Sequence, residues 1–202
     1  MSAGARPPAA QPETFAFTPE NLERTCAFIA RYPEGRQQSA VLAILDLAQR
    51  QHHGWLPRAA MNAVAELLGM ARIRVYEVAT FYNMFNLTPI GEHHVRICTT
   101  TPCQLRGAAA LLEVCENTLG IALGETSADG KFTLGEVECL GACVNAPVLQ
   151  IGDDYYEDLD AESATAILDG LKRGEAPTPG PQSDRHTSTP ASGPKTLLGA
   201  SG

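Results

Sequence analysis

Two short cysteine runs constrain this chain more than any other feature of its sequence. The first, Cys98-Thr-Thr-Thr-Pro-Cys103, has four residues between its thiols, and the second, Cys139-Leu-Gly-Ala-Cys143, has three. Two close pairs that are far apart in sequence can supply the two halves of a four-thiolate metal centre. Thiolate is a soft ligand that selects zinc, copper(I) or an iron–sulfur cluster. We therefore expect a fold that brings the two runs side by side.

Three kinds of structure could use these cysteines. Structural zinc sites favour two residues between the cysteines of a pair, whereas wider spacings suit a [2Fe–2S] cluster because each pair can hold a different iron. Disulfides are the second possibility, but a chain without a secretory signal is expected to stay in a reducing compartment. The third is that the cysteines are buried free thiols that pack as small apolar residues. The spacing favours the cluster and leaves the other two open.

The bulk composition argues against several classes of function. Hydrophobic residues make up 44% of the chain, which is ordinary for a globular protein. The sequence has no run of about 18 apolar residues that could span a bilayer. A net charge of −8 argues against binding to nucleic acid phosphates. Residues 1–17 have no continuous apolar segment and one arginine, so we expect no export signal or mitochondrial presequence and a cytoplasmic protein.

The first 88 residues predict a short lead-in followed by helices. Residues 1–17 are rich in Ala, Pro and polar residues and are predicted to be disordered. Apolar residues at helical spacing in four short segments of residues 18–88 predict a small helical domain. Thr18 is an N-cap signal for the first helix, whose predicted core face is Leu22, Cys26 and Ile29.

Residues 89–173 change period and predict a second, mixed α/β domain. A bulge is expected near Gly135, because the alternation of apolar and polar residues shifts by one position between Leu134 and Val137. Cys115 lies on an apolar helical stripe and is predicted to be a core residue, as is Cys26 in the first domain. The predicted elements are a strand at 95–98, a helix at 104–119, a strand at 132–139, a hairpin of 148–151 and 155–157, and a helix capped by Asp160.

This order of elements predicts where the cysteine runs meet. A strand–helix–strand crossover makes its two strands parallel, so their carboxyl ends lie at one edge of the sheet. Cys98 ends the first strand and Cys139 ends the second. The two pairs are therefore expected to meet at that edge. Gly141, inside the second run, would let the backbone approach a bound cluster closely, although an ordinary turn glycine is an equal alternative.

The remaining features are less informative. Residues 174–202 are rich in Pro, Gly, Ser and Thr and are predicted to be a disordered or partner-binding tail, with Leu197 and Leu198 as a small apolar anchor. The His52-His53 and His93-His94 pairs are interpreted as structural or surface residues. The chain has no G-x-G-x-x-G or P-loop motif that would predict a nucleotide site.

Three segments carry a resemblance to a known family. Residues 97–106 are ICTTTPCQLR, residues 138–158 are ECLGACVNAPVLQIGDDYYED, and residues 76–82 are YEVATFY. They resemble the small [2Fe–2S] subunit, also called the E subunit, of NADH:quinone oxidoreductase, respiratory complex I, over about residues 15–173. The resemblance implies an α/β chain with a thioredoxin-like [2Fe–2S] domain preceded by a small N-terminal helical bundle. It implies four cluster ligands, which are Cys98, Cys103, Cys139 and Cys143.

The same resemblance implies a function within a larger enzyme. One [2Fe–2S] cluster would exchange one electron with FMN on a partner flavoprotein that binds NADH, and a large iron–sulfur subunit would be a second partner. The complex would sit on the inner face of a bacterial plasma membrane, or on the matrix side if mitochondrial. The equivalent subunit of a soluble NAD-linked hydrogenase or formate dehydrogenase, a free-standing ferredoxin and a zinc-stabilised interaction module remain alternatives.

Overall fold

The computed structural model describes residues 10–190 and 192–193. The chain divides into two compact units, Met1–Ile90 and Gly91–Gly202. The domain boundaries drawn from the sequence at residues 17, 88 and 173 remain predictions. Leu197 and Leu198, the expected anchor of the tail, lie outside the described residues, as does the start of the lead-in.

The first unit is helical, as the sequence predicts. Its core is formed by buried side chains of three helices, among them Ile44, Leu45, Val64 and Val75, which are all 0% exposed. The second predicted helix begins as a separate 3₁₀ turn. In order, the elements are α1 (Pro19–Ile29), the 3₁₀ turn (Gln37–Ala40), α2 (Val41–Gln51), α3 (Arg58–Leu68) and α4 (Arg72–Phe81).

The buried face of α1 differs from the predicted one. Thr18 caps the helix as expected, since its hydroxyl accepts a hydrogen bond from Asn21 N at 3.3 Å. However, Leu22 is 45% exposed and Cys26 is exposed, whereas Thr25 is fully buried. The Thr25 hydroxyl donates to the carbonyl of Leu22 at 2.6 Å, which satisfies it inside the unit. A threonine that bonds its own helix can thus replace an apolar residue in the core, and the prediction for Cys26 was wrong.

The end of the predicted lead-in contacts the first unit. The Phe15 and Phe17 rings pack edge to face, 5.1 Å between centroids, and lie against the core of the first unit. The side chain of Gln51 in α2 donates to Ala16 O at 2.8 Å and accepts from Thr18 N at 3.0 Å. Two aromatic side chains and one amide therefore attach this segment to the first unit, and the disorder that its composition predicts stays a prediction.

The second unit is a mixed sheet with helices, and its element order agrees with the prediction. The sheet has the strand order β2-β1-β3-β4-β5. Strands β1 and β2 are parallel, as predicted from the crossover, and β3 and β4 form the predicted antiparallel hairpin. The elements are β1 (His93–Cys98), α5 (Thr101–Leu105), α6 (Ala108–Leu119), β2 (Phe132–Val137), a 3₁₀ turn (Cys143–Asn145), β3 (Leu149–Ile151), β4 (Asp154–Glu157), α7 (Ala161–Lys172) and β5 (Gly180–Pro181).

Two local predictions in this unit were wrong. The helix expected at 104–119 is two helices, separated at Gly107, whose φ of +101° breaks the helical path. The bulge expected near Gly135 is not present, because β1 and β2 pair residue by residue from Phe132 to Val137. A Cβ at Gly135 would lie 3.0 Å from Nε2 of His94. Gly135 interrupts the alternation of apolar and polar residues in β2, and its missing side chain leaves room for His94 of the neighbouring strand.

The described part of the tail also contacts the sheet, and its character as a partner-binding or disordered segment stays a prediction. Gly180–Pro181 forms β5, which pairs in parallel with the edge strand β4. The Tyr156 hydroxyl donates to Pro177 O at 3.3 Å. A short polar segment can attach to a sheet in this way because an edge strand offers unpaired backbone groups, without any apolar core of its own. In the part of the chain that the structure describes, no helix has the length and hydropathy needed to cross a membrane.

Candidate metal centre

The two cysteine runs follow the carboxyl ends of two neighbouring parallel strands. Cys98 is the last residue of β1 and lies opposite Val137, the last residue of β2. Helix α5 then carries Cys103 inward, while Cys139 and Cys143 lie on the loop after β2. The predicted convergence of the two runs therefore follows from the register of β1 and β2.

The four thiols are arranged as two pairs that differ in exposure. Cys98 and Cys103 are each 1% exposed and hydrogen-bond to each other, whereas Cys139 and Cys143 are exposed. The sulfur atoms of Cys139 and Cys143 are 3.3 Å apart. All six cysteines are free thiols. Within residues 10–190 and 192–193, no three side chains of His, Cys, Asp or Glu form a group that could hold a metal ion. The structure thus shows two thiol pairs at one edge of the sheet and does not gather the four thiols into one group.

One thiol of the buried pair is biased towards the thiolate. Burial raises the pKa of Cys98, but hydrogen bonds from the Thr100 side chain and backbone, from the Leu140 backbone and from Cys103 outweigh it, so the net pKa is lowered. The Thr100 hydroxyl lies 3.3 Å from the Cys98 sulfur. Burial, followed by the hydrogen bond to Cys98, raises the pKa of Cys103 to about 12.

The exposed pair repeats this division. A hydrogen bond from Gly141 N–H, and then one from Cys143, lowers the pKa of Cys139. The hydrogen bond to Cys139 is the main cause that raises the pKa of Cys143. Gly141 has a φ of +81°, a conformation that glycine adopts without strain and that lets its N–H approach the sulfur. Its role in permitting close backbone approach to a cluster stays a prediction, because a turn glycine has the same conformation.

The donor set fits an iron–sulfur cluster. Interactions with the backbone N–H groups of Thr100, Leu140, Gly141 and Val148 favour the thiolate forms of the cysteine sulfurs beside them. Such interactions stabilise negative charge on sulfur and tune the potential of iron–sulfur clusters. Two thiolate pairs that share one sheet edge match the ligand count of a [2Fe–2S] cluster, one pair for each iron.

The other candidate residues lie elsewhere. Cys115 is fully buried in the core of the second unit, as predicted, and burial raises its pKa to about 12. The His52 ring packs on Trp55, 4.9 Å between centroids, which is a structural role. Burial, followed by the charge of Arg96, lowers the pKa of His94 from 6.5 to about 4, so this histidine is neutral at physiological pH.

Some residues at the site could not be found from the sequence. Thr100 is one of three consecutive threonines, and the sequence does not distinguish it. Asn145 lies two residues after Cys143, is 1% exposed and contacts Arg185 from the predicted tail. The peptide bond between Ala146 and Pro147, whose isomer the sequence left open, is cis.

Comparison with known proteins decides the family. The family model described as thioredoxin-like [2Fe–2S] ferredoxin matches residues 25–172. The chain belongs to this family. The match spans both cysteine pairs and most of the helices of the first unit, so the α/β fold inferred from the sequence is confirmed.

Curated relatives place the chain within this ferredoxin family. It is 54% identical over 158 residues to the E subunit of NADH-quinone oxidoreductase from Rickettsia conorii. This alignment covers 78% of this chain and 95% of the relative. It is 50% identical over 184 residues to the mitochondrial NADH dehydrogenase [ubiquinone] flavoprotein 2 of Dictyostelium discoideum, which covers 91% of this chain and 74% of the relative. The resemblance seen in the sequence is thereby confirmed.

A solved structure supports the fold at lower similarity. A chain of an NAD⁺-reducing [NiFe]-hydrogenase superposes with a TM-score of 0.58 at 22% identity, over 66% of this chain and 23% of the hydrogenase chain. At this identity the likeness concerns the fold alone.

Proposed function

We propose that this chain is the electron-transferring E subunit of an NADH:quinone oxidoreductase and that Cys98, Cys103, Cys139 and Cys143 hold one [2Fe–2S] cluster. The observation that carries the proposal is the convergence of two thiol pairs at the ends of two parallel strands. The relatives at 50% and 54% identity support the choice of enzyme.

The chemistry of the site follows from its groups. A bound [2Fe–2S] cluster accepts and returns one electron at a time. The protein would supply the thiolates, buries one pair at 1% exposure, and favours the thiolate form through the backbone of Leu140, Gly141 and Val148. These amides offset the negative charge of the four thiolates, and burial of the first pair excludes water from that side of the centre.

The partners follow from what the chain lacks and what it exposes. Its sequence has no nucleotide-binding motif, so NADH and FMN would bind a flavoprotein partner, and a large iron–sulfur subunit would be the second neighbour. Leu105 is 82% exposed and Val144 is 62% exposed, and each lies within two residues of a proposed ligand. Exposed apolar groups beside a redox centre suit contact with a partner. A partner that binds there brings its own redox centre closer to the proposed cluster, which shortens the distance for electron transfer. The location would be peripheral, on the inner face of the bacterial plasma membrane through the complex, or on the matrix side in mitochondria.

The cluster assignment is tested on the purified full chain after anaerobic reconstitution. We expect about two iron and two acid-labile sulfide ions per chain, the stoichiometry of one [2Fe–2S] cluster. We also expect an electron paramagnetic resonance spectrum after reduction with dithionite. A silent sample that holds stoichiometric zinc would support the zinc-stabilised module instead.

The choice of enzyme is tested on the native assembly. Purification of the complex should recover quinone-reducing membrane subunits together with this chain. Recovery with hydrogenase or formate dehydrogenase subunits would assign it to a soluble NAD-linked enzyme, and recovery as a single chain would indicate a free ferredoxin.

A further inference from the structure

The loop that carries the second cysteine pair has little packing of its own. Cys139 and Cys143 are both exposed, and the next residue, Val144, is 62% exposed. Asn145 is the first buried residue after the pair, at 1% exposure. Its main chain anchors the loop, because Asp158 N donates to Asn145 O at 2.7 Å. The position of the second pair therefore depends on what holds Asn145.

Every hydrogen-bonding group of the Asn145 side chain has a partner, and two of the three partners come from the C-terminal segment. Its Nδ2 donates to Oε2 of Glu157 at 2.6 Å and to the carbonyl of Thr187 at 2.9 Å. Its Oδ1 accepts from Nη1 of Arg185 at 3.2 Å. A buried amide with all its groups satisfied has a fixed orientation, since each alternative leaves a buried polar atom unpaired.

Arg185 connects the cysteine loop to the edge of the sheet. Its Nη1 also donates to Val144 O at 3.0 Å, one residue beyond Cys143. Its Nε lies 3.1 Å from Oδ2 of Asp158, and the two side chains are 17% and 10% exposed. The Ser183 hydroxyl donates to the same carboxylate oxygen at 3.1 Å. Removal of Arg185 would leave a largely buried carboxylate without its counter-charge and two carbonyl oxygens without a donor.

The segment that carries Arg185 is itself attached to β4. Strand β5 pairs with β4, and Gln182 N donates to Glu157 O at 2.9 Å. The Tyr156 hydroxyl donates to Pro177 O. We name residues 177–187 the C-terminal strap. It runs along the edge of the sheet and ends against the loop of the second cysteine pair.

We propose that the C-terminal strap sets the geometry of the Cys139–Cys143 loop and that Arg185 is the positioning residue through which it acts. The inference rests on the proposed function, because it assigns a role to residues that support the proposed ligands. Groups that orient metal ligands without touching the metal change affinity by about 10- to 100-fold when they are removed. Solvent exposure and hydrogen bonding at the sulfurs also shift the potential of a cluster.

The test compares four forms of the full chain with the cluster reconstituted. They are the wild type, Arg185→Met, Arg185→Lys and the control Arg72→Met. Arg72 forms an exposed ion pair with Glu66 in the first unit, with side chains 60% and 69% exposed. The control thus removes one guanidinium and one ion pair at a site far along the chain from the cysteines. The measurements are the rate of iron loss to an excess of chelator, the reduction potential, and the resonance spectrum of the reduced cluster.

We expect Arg185→Met to lose iron about tenfold faster than the wild type, with a shifted potential and an altered resonance spectrum. Arg185→Lys keeps the charge but not the planar fork that serves Val144, Asn145 and Asp158 together. Its values should fall between those of the wild type and Arg185→Met. Arg72→Met should match the wild type in all three measurements.

Wild-type values for Arg185→Met in all three measurements would overturn the role of the strap. If Arg185→Met does not fold, Arg185→Lys decides, and identity of this variant to the wild type gives the same negative result. Failure of the proposed function gives a different outcome: the wild-type chain itself then holds no iron–sulfur cluster. That result would overturn both proposals, whereas a wild-type cluster with unaffected Arg185 variants overturns the strap alone.

Discussion

Cys103 and Cys115 form a matched pair that separates a ligand from a core residue. Both side chains are buried, at 1% and 0% exposure, and burial is the main cause that raises the pKa of each thiol to about 12. Replacement of either residue by Ala removes the same single sulfur atom. Only Cys103 is a proposed cluster ligand, so a difference between Cys103→Ala and Cys115→Ala reports ligation rather than packing.

The expected magnitudes follow from these environments. Deletion of three buried carbons in a Leu→Ala change costs about 2–5 kcal/mol, so loss of one buried sulfur should cost about 1 kcal/mol. Cys103→Ala also removes a hydrogen bond to Cys98, which adds about 1 kcal/mol. The two apoproteins should therefore differ in free energy of unfolding by only about 1 kcal/mol.

The cluster-loaded proteins should differ by more. Binding to the folded state alone adds stability, and a hundredfold loss of affinity removes about 2.7 kcal/mol. Loss of a direct ligand is expected to exceed that value. The free energy of unfolding of Cys103→Ala should thus change little between apo and loaded conditions, whereas Cys115→Ala should keep the increase seen in the wild type.

The assay measures iron and acid-labile sulfide per chain, visible absorption and denaturant unfolding, each with and without reconstitution. Cys98→Ala, Cys139→Ala and Cys143→Ala should behave like Cys103→Ala, and Cys26→Ala should behave like the wild type because Cys26 is exposed. A bleached Cys115→Ala together with a wild-type spectrum for Cys103→Ala would refute both the ligand assignment and the argument from the parallel strands.

Three further predictions test other parts of the chain. The pKa of His94 is lower in the folded state, about 4 against 6.5, so its contribution is present above pH 6.5 and is lost as the pH falls towards 4. The loss should be on the order of 3 kcal/mol at most, reduced by solvent screening, and His94→Gln should remove it from unfolding curves measured at several pH values. The purified chain should not oxidise NADH, and addition of the flavoprotein partner should restore electron transfer to ferricyanide; turnover by the chain alone would contradict the proposed division of labour. Gly91→Ala should cost about 3 kcal/mol in thermal unfolding, because its Cβ would lie 2.8 Å from the backbone of Lys131 and Phe132. The control Gly120→Ala, which has φ +68° and nothing within 4 Å of the added Cβ, should cost about 1 kcal/mol.

The sequence predicts what depends on repeated patterns and on topology. Alternating apolar residues locate β1, and the crossover rule makes β1 and β2 parallel, so the meeting of the cysteine runs follows without knowledge of any side-chain contact. The capping signals at Thr18 and Asp160 also mark helix starts correctly, because a cap is a local arrangement of neighbouring residues.

The failures concern contacts between distant residues. Helical spacing alone gives Leu22 and Cys26 the same rank as Thr25, and only the packed neighbours decide which of them is buried. The role of Gly135 depends on His94 in the adjacent strand. The contacts of Arg185 with Val144 and Asn145 join residues about forty positions apart, and the composition of the tail gives no sign of them.

The parallel pairing of β1 and β2 also determines when the chain can first hold its cofactor. The β3–β4 hairpin closes over two residues and can form early, but Cys98 and Val137 meet only after α5 and α6 complete the crossover. Non-local pairings of this kind form late, because the entropy of closing the loop opposes them until the packing is in place. A nascent or misfolded chain offers two separate thiol pairs and no four-thiolate site. Stable binding of the proposed cluster is therefore expected only after folding is complete, because it needs both thiol pairs at one edge of the sheet.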